Sequence, residues 1–199
     1  MYHIYQTEGF IIESEGRREA DRFFNIFTKD LGMIRASAGG IRLLQSKLRY
    51  SLQDLSYSKI SMVRGKDSWR ITNAEVIDNI SDLFFREENK REKLLVFGRI
   101  FALLARLLHG EEKNENLFEA VLSALEFFKK EKISCREVRN AEAIIVLRIL
   151  KSLGYMAEKE KFKIFVSSFD FDKEILSKME ALRGEAFEEI NKSLRESHL

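Results

Sequence analysis

Proline is absent from this chain of 199 residues, and cysteine occurs once, as Cys135. The absence of proline removes slow prolyl isomerisation from folding and leaves turns to Gly, Asn, Asp and Ser. A single cysteine excludes an intramolecular disulfide and any multi-cysteine zinc site, and three scattered histidines (His3, His109 and His198) do not replace such a ligand set. Cys135 is therefore expected to act as a small apolar residue, packed or partly buried in a helix. No stretch approaches the roughly 20 consecutive apolar residues of a membrane span. The opening Met1-Tyr2-His3-Ile4-Tyr5-Gln6 has neither the basic region nor the apolar run of a signal peptide. These features predict a cytoplasmic protein with no membrane partner. Catalytic signatures are missing too: there is no Gly-x-x-x-x-Gly-Lys-Ser/Thr loop, no His-Glu-x-x-His and no Gly-x-Ser-x-Gly. The pairs Glu87-Glu88, Glu111-Glu112 and Glu188-Glu189 lie in polar stretches and read as solvated carboxylates. The chain does not read as an enzyme, and nothing in it calls for a metal or another cofactor.

What the sequence does contain is apolar mass and one concentrated field of positive charge. Apolar residues make up 45% of the chain and include 16 Phe, enough for a packed core. Residues 31–70 carry Arg35, Arg42, Lys47, Arg49, Lys59, Arg64, Lys66 and Arg70 against only Asp54 and Asp67, whereas the whole chain is +2. A polyanionic partner such as nucleic acid is the natural complement of such an asymmetry.

Pattern changes near residue 80. Before it, short apolar runs separated by turn signals predict five strands, at about residues 3–13, 22–28, 33–38, 52–63 and 68–76. Lys29-Asp30-Leu31-Gly32 and Arg64-Gly65-Lys66-Asp67 are short enough to close hairpins, with glycines able to take positive φ. Residues 41–50 fit a helical turn or ordered loop between the third and fourth strands, where a five-stranded oligonucleotide-binding barrel carries its helix or long connection. After residue 80, three- and four-residue spacing predicts helices at about 94–108, 116–130, 136–153 and 172–195, with Asp172 as an N-cap. The expected architecture is α+β: an OB-fold β-barrel over residues 1–79 followed by an all-helical bundle over residues 80–199.

On such a barrel, cations would track phosphates and flat rings would stack on bases. The candidate DNA-binding residues are Arg22, Arg35, Arg42, Lys47, Arg49, Arg64, Lys66 and Arg70, and Tyr57 and Trp69 are candidate stacking surfaces. Core packing is the competing role for both rings.

An ordered series of small motifs resembles the bacterial recombination mediator family RecO. It begins with Asp21-Arg22-Phe23-Phe24-Asn25-Ile26-Phe27-Thr28-Lys29-Asp30-Leu31-Gly32-Met33-Ile34-Arg35-Ala36 and continues with Gly40-Ile41-Arg42 and Ser46-Lys47-Leu48-Arg49-Tyr50-Ser51-Leu52-Gln53. Val63-Arg64-Gly65-Lys66, Trp69-Arg70-Ile71-Thr72-Asn73-Ala74-Glu75 and, more weakly, Leu147-Arg148-Ile149-Leu150-Lys151-Ser152-Leu153-Gly154-Tyr155 complete it. The chain departs from the family pattern in having Gly39 where a Lys is common, in lacking the four-cysteine zinc module after Gly154-Tyr155, and in lacking the usual prolines. A zinc site is therefore not expected, and the tail from Lys159 on must cap the bundle by packing alone. The resemblance implies a nucleoid-associated repair factor that binds single- and double-stranded DNA and anneals complementary strands. It further implies RecR as a partner, an apolar groove for the tail of the single-stranded DNA-binding protein, and indirect service to RecA. Two other readings fit the residues themselves: a generic single-stranded DNA- or RNA-binding barrel, and a scaffold whose basic face docks an acidic protein.

Overall fold

The computed structural model describes residues 3–16, 19–66, 68–157 and 159–196. The chain divides into two compact units, one of residues 1–85 and 101–114 and the other of residues 86–100 and 115–199.

The first unit is built on β1 (Ile4–Gly16), β2 (Arg22–Thr28), β3 (Gly32–Ala38), β4 (Ser56–Arg64) and β5 (Trp69–Asn79). They close into a barrel in the order β1-β2-β3-β5-β4, the OB-type arrangement expected from the sequence. β1 can serve two neighbours because it is long: Ile4 to Phe10 pair with β4, and Gly9 to Gly16 with β2, past an irregularity between Ile11 and Glu13 that turns the strand. Among the described residues only the β3–β5 seam is parallel. Two short helices follow strands, α1 (Leu48–Ser51) in the β3–β4 connection and α2 (Ile80–Leu83) after β5. The Asn79 side chain caps α2 by accepting from the Ser81 and Asp82 N–H groups.

Strand alternation fills the barrel. Phe24 and Ile26, Ile34, Ala36 and Ala38, Ile60 and Met62, and Trp69 and Ile71 share one core with Ile11, Ile41 and Leu52. A second apolar group joins Phe10 to Tyr57, stacked at 4.8 Å, and to Phe101 at 5.6 Å.

Strand boundaries differ from expectation at β4, which begins at Ser56 and not near residue 52. Leu52 instead completes the α1 turn, its N–H donating to Leu48 O at 3.0 Å, and Leu55 then reverses the chain with φ 67°. The two expected hairpin glycines also differ in role. Gly32 takes φ 69°. Gly65 is not among the positive-φ residues; a Cβ there would stand 2.5 Å from Ser68 O, the acceptor of its N–H, so what Gly65 supplies is room. Asp67 of that expected turn lies outside the described residues.

In the second unit, the first part of α3 (Lys90–Leu107) joins α4 (Glu115–Lys130), α5 (Cys135–Ser152), a 3-10 turn (Glu160–Phe162), α6 (Lys163–Val166) and α7 (Lys173–Glu196). Apolar residues at helical spacing, such as Leu117, Val121, Leu125 and Phe128 of α4 and Val138, Ala141 and Ile145 of α5, are buried. The tail caps the bundle as the sequence requires: α7 lies on α5, burying Ile175, Leu176, Met179 and Ala186. Asn140 on α5 donates to Leu176 O at 3.0 Å, and Asp172 accepts from Ile175 N–H at 2.6 Å as the N-cap of α7.

At the start of α5, Ser134 and Glu137 form a reciprocal capping box. This fixes residue 135 at the helix's first position and turns it outward, so Cys135, expected to be packed, is exposed. The Ser134 bonds hold the Glu137 carboxyl below the ordinary glutamate value. Ser134→Ala is expected to lower stability by about 1 kcal/mol in thermal unfolding. A carboxyl with a depressed folded pKa contributes stability above its unfolded pKa and loses it as pH falls through the folded one. The Ser134→Ala deficit should therefore shrink on acidification through and below the carboxylate range; an equal deficit at pH 7 and pH 3 would assign it to the backbone alone.

Among the described residues no helix is long and apolar enough to cross a membrane, and no group of His, Cys, Asp or Glu is arranged to hold a metal ion.

Candidate nucleic-acid interface

Three arginines from different chain segments meet on one concave surface of the barrel unit. Arg22 opens β2, Arg42 follows β3 in the long connection, and Arg49 lies on α1; with Gln53 they line a groove of about 440 Å³ floored by the apolar Ile41 and Leu52. The floor explains the convergence. Ile41 and Leu52 belong to the barrel core, so burying them draws both ends of the connection onto the β2 start and leaves the intervening polar side chains facing out. Two bonds secure the same approach: Gly40 N–H donates to the Asp21 carboxylate at 2.9 Å, and Arg42 N–H to Ala20 O at 3.1 Å.

The arginines differ in how they are held. Arg22 is half-buried and donates to Ser14 Oγ at 3.1 Å, which leaves the rest of its guanidinium fork open. Arg42 and Arg49 are exposed, as is Lys47 between them in sequence, and among the described residues none of these three has an ion-pair partner. No carboxylate occurs between Ile41 and Gln53.

The remaining predicted cations lie elsewhere. Arg35 stands on the outer face of β3, pairs with Glu15 at 3.0 Å and covers the Phe23 ring at 4.7 Å. Arg64, at the end of β4, meets Glu111 at 2.5 Å and covers the Trp69 ring at 4.8 Å. Lys66 in the β4–β5 hairpin and Arg70 on β5 are exposed and do not line the groove.

Neither predicted stacking ring presents a face to solvent. Tyr57 is 5% and Trp69 3% exposed. Trp69 shares the inward parity of Ile71, has the edge of Tyr5 against it at 4.9 Å, and donates its indole N–H to Glu111 at 3.1 Å. Tyr57 lies against Phe10, and its hydroxyl donates to Glu8. The burial has a physical source in each case, since an indole or phenol enters a core once its polar atom has an acceptor.

Two other aromatics are better placed. Phe23 is half-buried on the outer face, in register between Glu15 of β1 and Ser37 of β3; the parity of β2, with Phe24 and Ile26 inward, was the available signal. Tyr50 directly follows Arg49 and is exposed, and the basic residues beside it in sequence were its only mark.

Comparison with known proteins gives a consistent result. Residues 1–80 match the family model for the recombination protein O N terminal region and residues 88–160 that for its C terminal region. Curated relatives include the DNA repair protein RecO of Acetivibrio thermocellus, 27% identical over 150 residues, which cover 75% of this chain and 57% of the relative. RecO of Clostridium novyi is 24% identical over 159 residues, 79% of this chain and 59% of the relative. That of Alkaliphilus metalliredigens is 30% identical over 138 residues, 62% of this chain and 55% of the relative. The chain thus spans somewhat more than half the length of the curated relatives it matches.

Proposed function

Because the chain belongs to the recombination protein O family, we propose that it is a non-catalytic DNA repair and recombination mediator that binds single- and double-stranded DNA through its barrel unit. In this reading it anneals complementary strands and works with RecR to help RecA load onto strands coated by single-stranded DNA-binding protein. The observation that carries the DNA-binding part is the convergence of Arg22, Arg42 and Arg49 on one open groove whose lining residues include no carboxylate. Guanidinium groups without an internal carboxylate partner take phosphate oxygens, and the counterions released from the strand drive binding. Lys47, Lys66 and Arg70 extend the field, whereas Arg35 and Arg64 join only by exchanging Glu15 or Glu111 for phosphate. Neutralising two strands at once lowers their repulsion, which is the physical requirement for annealing. RecR, the single-stranded DNA-binding protein and RecA enter through family membership alone.

The test is annealing of complementary labelled oligonucleotides coated with single-stranded DNA-binding protein, with the natural chain and with an Arg42→Glu, Lys47→Glu, Arg49→Glu variant of unchanged circular dichroism. Acceleration by the natural chain and its loss in the variant support the mediator reading. DNA binding without acceleration leaves a generic binding barrel. Salt supplies an independent check. Each lost phosphate contact lowers the log–log salt slope for a single strand by about 0.7, so Arg42→Ala with Arg49→Ala should lower it by roughly 1.4 and weaken affinity on the order of tenfold. Affinity flat between about 50 and 200 mM salt would remove the electrostatic mechanism.

A further inference from the structure

The segment that bears two of the groove arginines carries a second chemistry that the charges do not explain, at residues next to them in sequence. Leu43, Leu44 and Tyr50 are 49%, 94% and 54% exposed within one short segment. Large apolar side chains exposed at several positions of one short segment suit a contact site. They are also held in place. Ile41 and Leu52 anchor the segment in the barrel core at both ends. Between them Leu43 N–H donates to Gly40 O at 3.1 Å, Ser46 N–H to Leu43 O at 3.0 Å and Leu52 N–H to Leu48 O at 3.0 Å. An ordered backbone therefore displays these side chains to water.

Cations and apolar groups alternate along it. Arg42 precedes Leu43 and Arg49 precedes Tyr50, and both arginines line the groove. A duplex would satisfy the arginines and leave the apolar groups in water, because its base faces are already stacked. An unpaired strand offers phosphates and base faces together, and stacking a base on an aromatic ring contributes about 1–3 kcal/mol. Tyr57 and Trp69, both buried, cannot supply that ring.

Resting on the DNA-binding reading above, we propose that Tyr50, with Leu43 and Leu44, is the base-contacting surface of this groove and makes it selective for single-stranded DNA. The phosphates lie on Arg22, Arg42 and Arg49, and the Tyr50 ring takes an unstacked base.

The experiment measures fluorescence-anisotropy affinities of the full chain for three probes of equal length: a DNA single strand, its duplex, and a single strand of abasic sugar-phosphate. Tyr50→Ala should weaken the normal single strand roughly tenfold while leaving the duplex, the abasic strand and the salt slope unchanged. Tyr50→Phe should keep the natural affinity, and Leu43→Ala with Leu44→Ala should show a smaller loss of the same selectivity. The Arg42→Ala, Arg49→Ala variant should weaken all three probes and lower the salt slope. The proposal is overturned if Tyr50→Ala weakens all three probes alike or weakens none. If the probes bind with arginine dependence but Tyr50→Ala is silent, only this inference falls; if the natural chain binds no probe, the DNA-binding reading falls with it.

Discussion

Arg148→Ala is expected to lower the unfolding free energy by roughly 4 kcal/mol, the largest effect of any single substitution considered for the helical unit. Arg148 is buried on α5, and its guanidinium donates to three backbone carbonyls of the segment that leads into α7: Phe165 O at 2.7 Å, Phe169 O at 2.9 Å and Asp170 O at 2.8 Å. Its flat face also covers the Phe171 ring at 4.2 Å. Truncation therefore leaves three acceptors without their donor and a void among packed side chains. Arg148→Met, which fills most of the volume, should recover the void contribution alone. Arg148→Lys keeps charge but not the planar fork, and should recover less than the full loss. Urea unfolding measures the total, and hydrogen exchange should show residues 165–171 losing protection first. A deficit below about 1 kcal/mol would mean that the segment is held by α7 and not by this arginine.

The same residue has a pH signature. Burial brings the guanidinium down to about 10, with Asp170 opposing the shift. The group stays charged at neutral pH, so it adds no slope there. Between about 10 and its higher unfolded value the unfolded chain binds more protons, and stability should rise with pH in that window. Arg148→Met should abolish that rise, which a comparison of urea midpoints in alkaline buffers would detect.

Gly32→Ala is the second large expectation, at roughly 3 kcal/mol in the barrel unit. Two separate constraints act there. The backbone sits at φ 69°, where a side chain is strained. An added Cβ would also stand 2.1 Å from Glu112 O, with Glu112 C and N close behind. Asparagine tolerates the left-handed region but carries the same Cβ. If the torsion dominates, Gly32→Asn should be nearly natural; if the steric conflict dominates, as the distance implies, Gly32→Asn should remain at least as damaging as about two-thirds of the alanine effect. Displacing Glu112 also moves its neighbour Glu111, which receives the Trp69 indole N–H. Trp69 is the chain's one tryptophan, so a shift in its emission at native temperature would report that movement directly.

How far the sequence could lead depended on whether a feature was local. β2 and the α4 and α5 helices follow from spacing inside a few residues, and Asp172 announces α7 by its own chemistry. The far end of β1 was harder to place, because its extension to Gly16 comes from pairing with β2 beyond an irregular position. Arg35 and Arg64 looked like free cations, but their carboxylate partners Glu15 and Glu111 arrive from segments that no spacing rule connects to them. Trp69 shows the same limit. Its inward parity with Ile71 favoured the core, but the acceptor that makes burial affordable to an indole lies in the loop after α3. By contrast, Arg42 and Arg49 were legible as a pair, since the segment that carries them has apolar ends and no acid between them. Its convergence on Arg22 was not, because that depends on how the barrel closes.

Barrel closure itself carries a kinetic meaning. β5 pairs with β4 over nine residue pairs but with β3 over two, Ala36↔Trp69 and Ser37↔Arg70. The hairpin of β4 and β5 is a local event, whereas joining β5 to β3 closes a long loop and fixes few backbone bonds in return. It also seats Trp69 and Ile71 of β5 beside Ile34, Ala36 and Ala38 of β3 in the core. With so few pairs, the seam is expected to open more readily than the other pairings, which faster amide exchange at Ala36, Ser37 and Arg70 than in the middle of β4 would show. The connection bearing Arg42, Arg49 and Tyr50 runs from one strand of that seam, β3, towards the hairpin that supplies the other, so opening of the seam would change the geometry of the arginine groove.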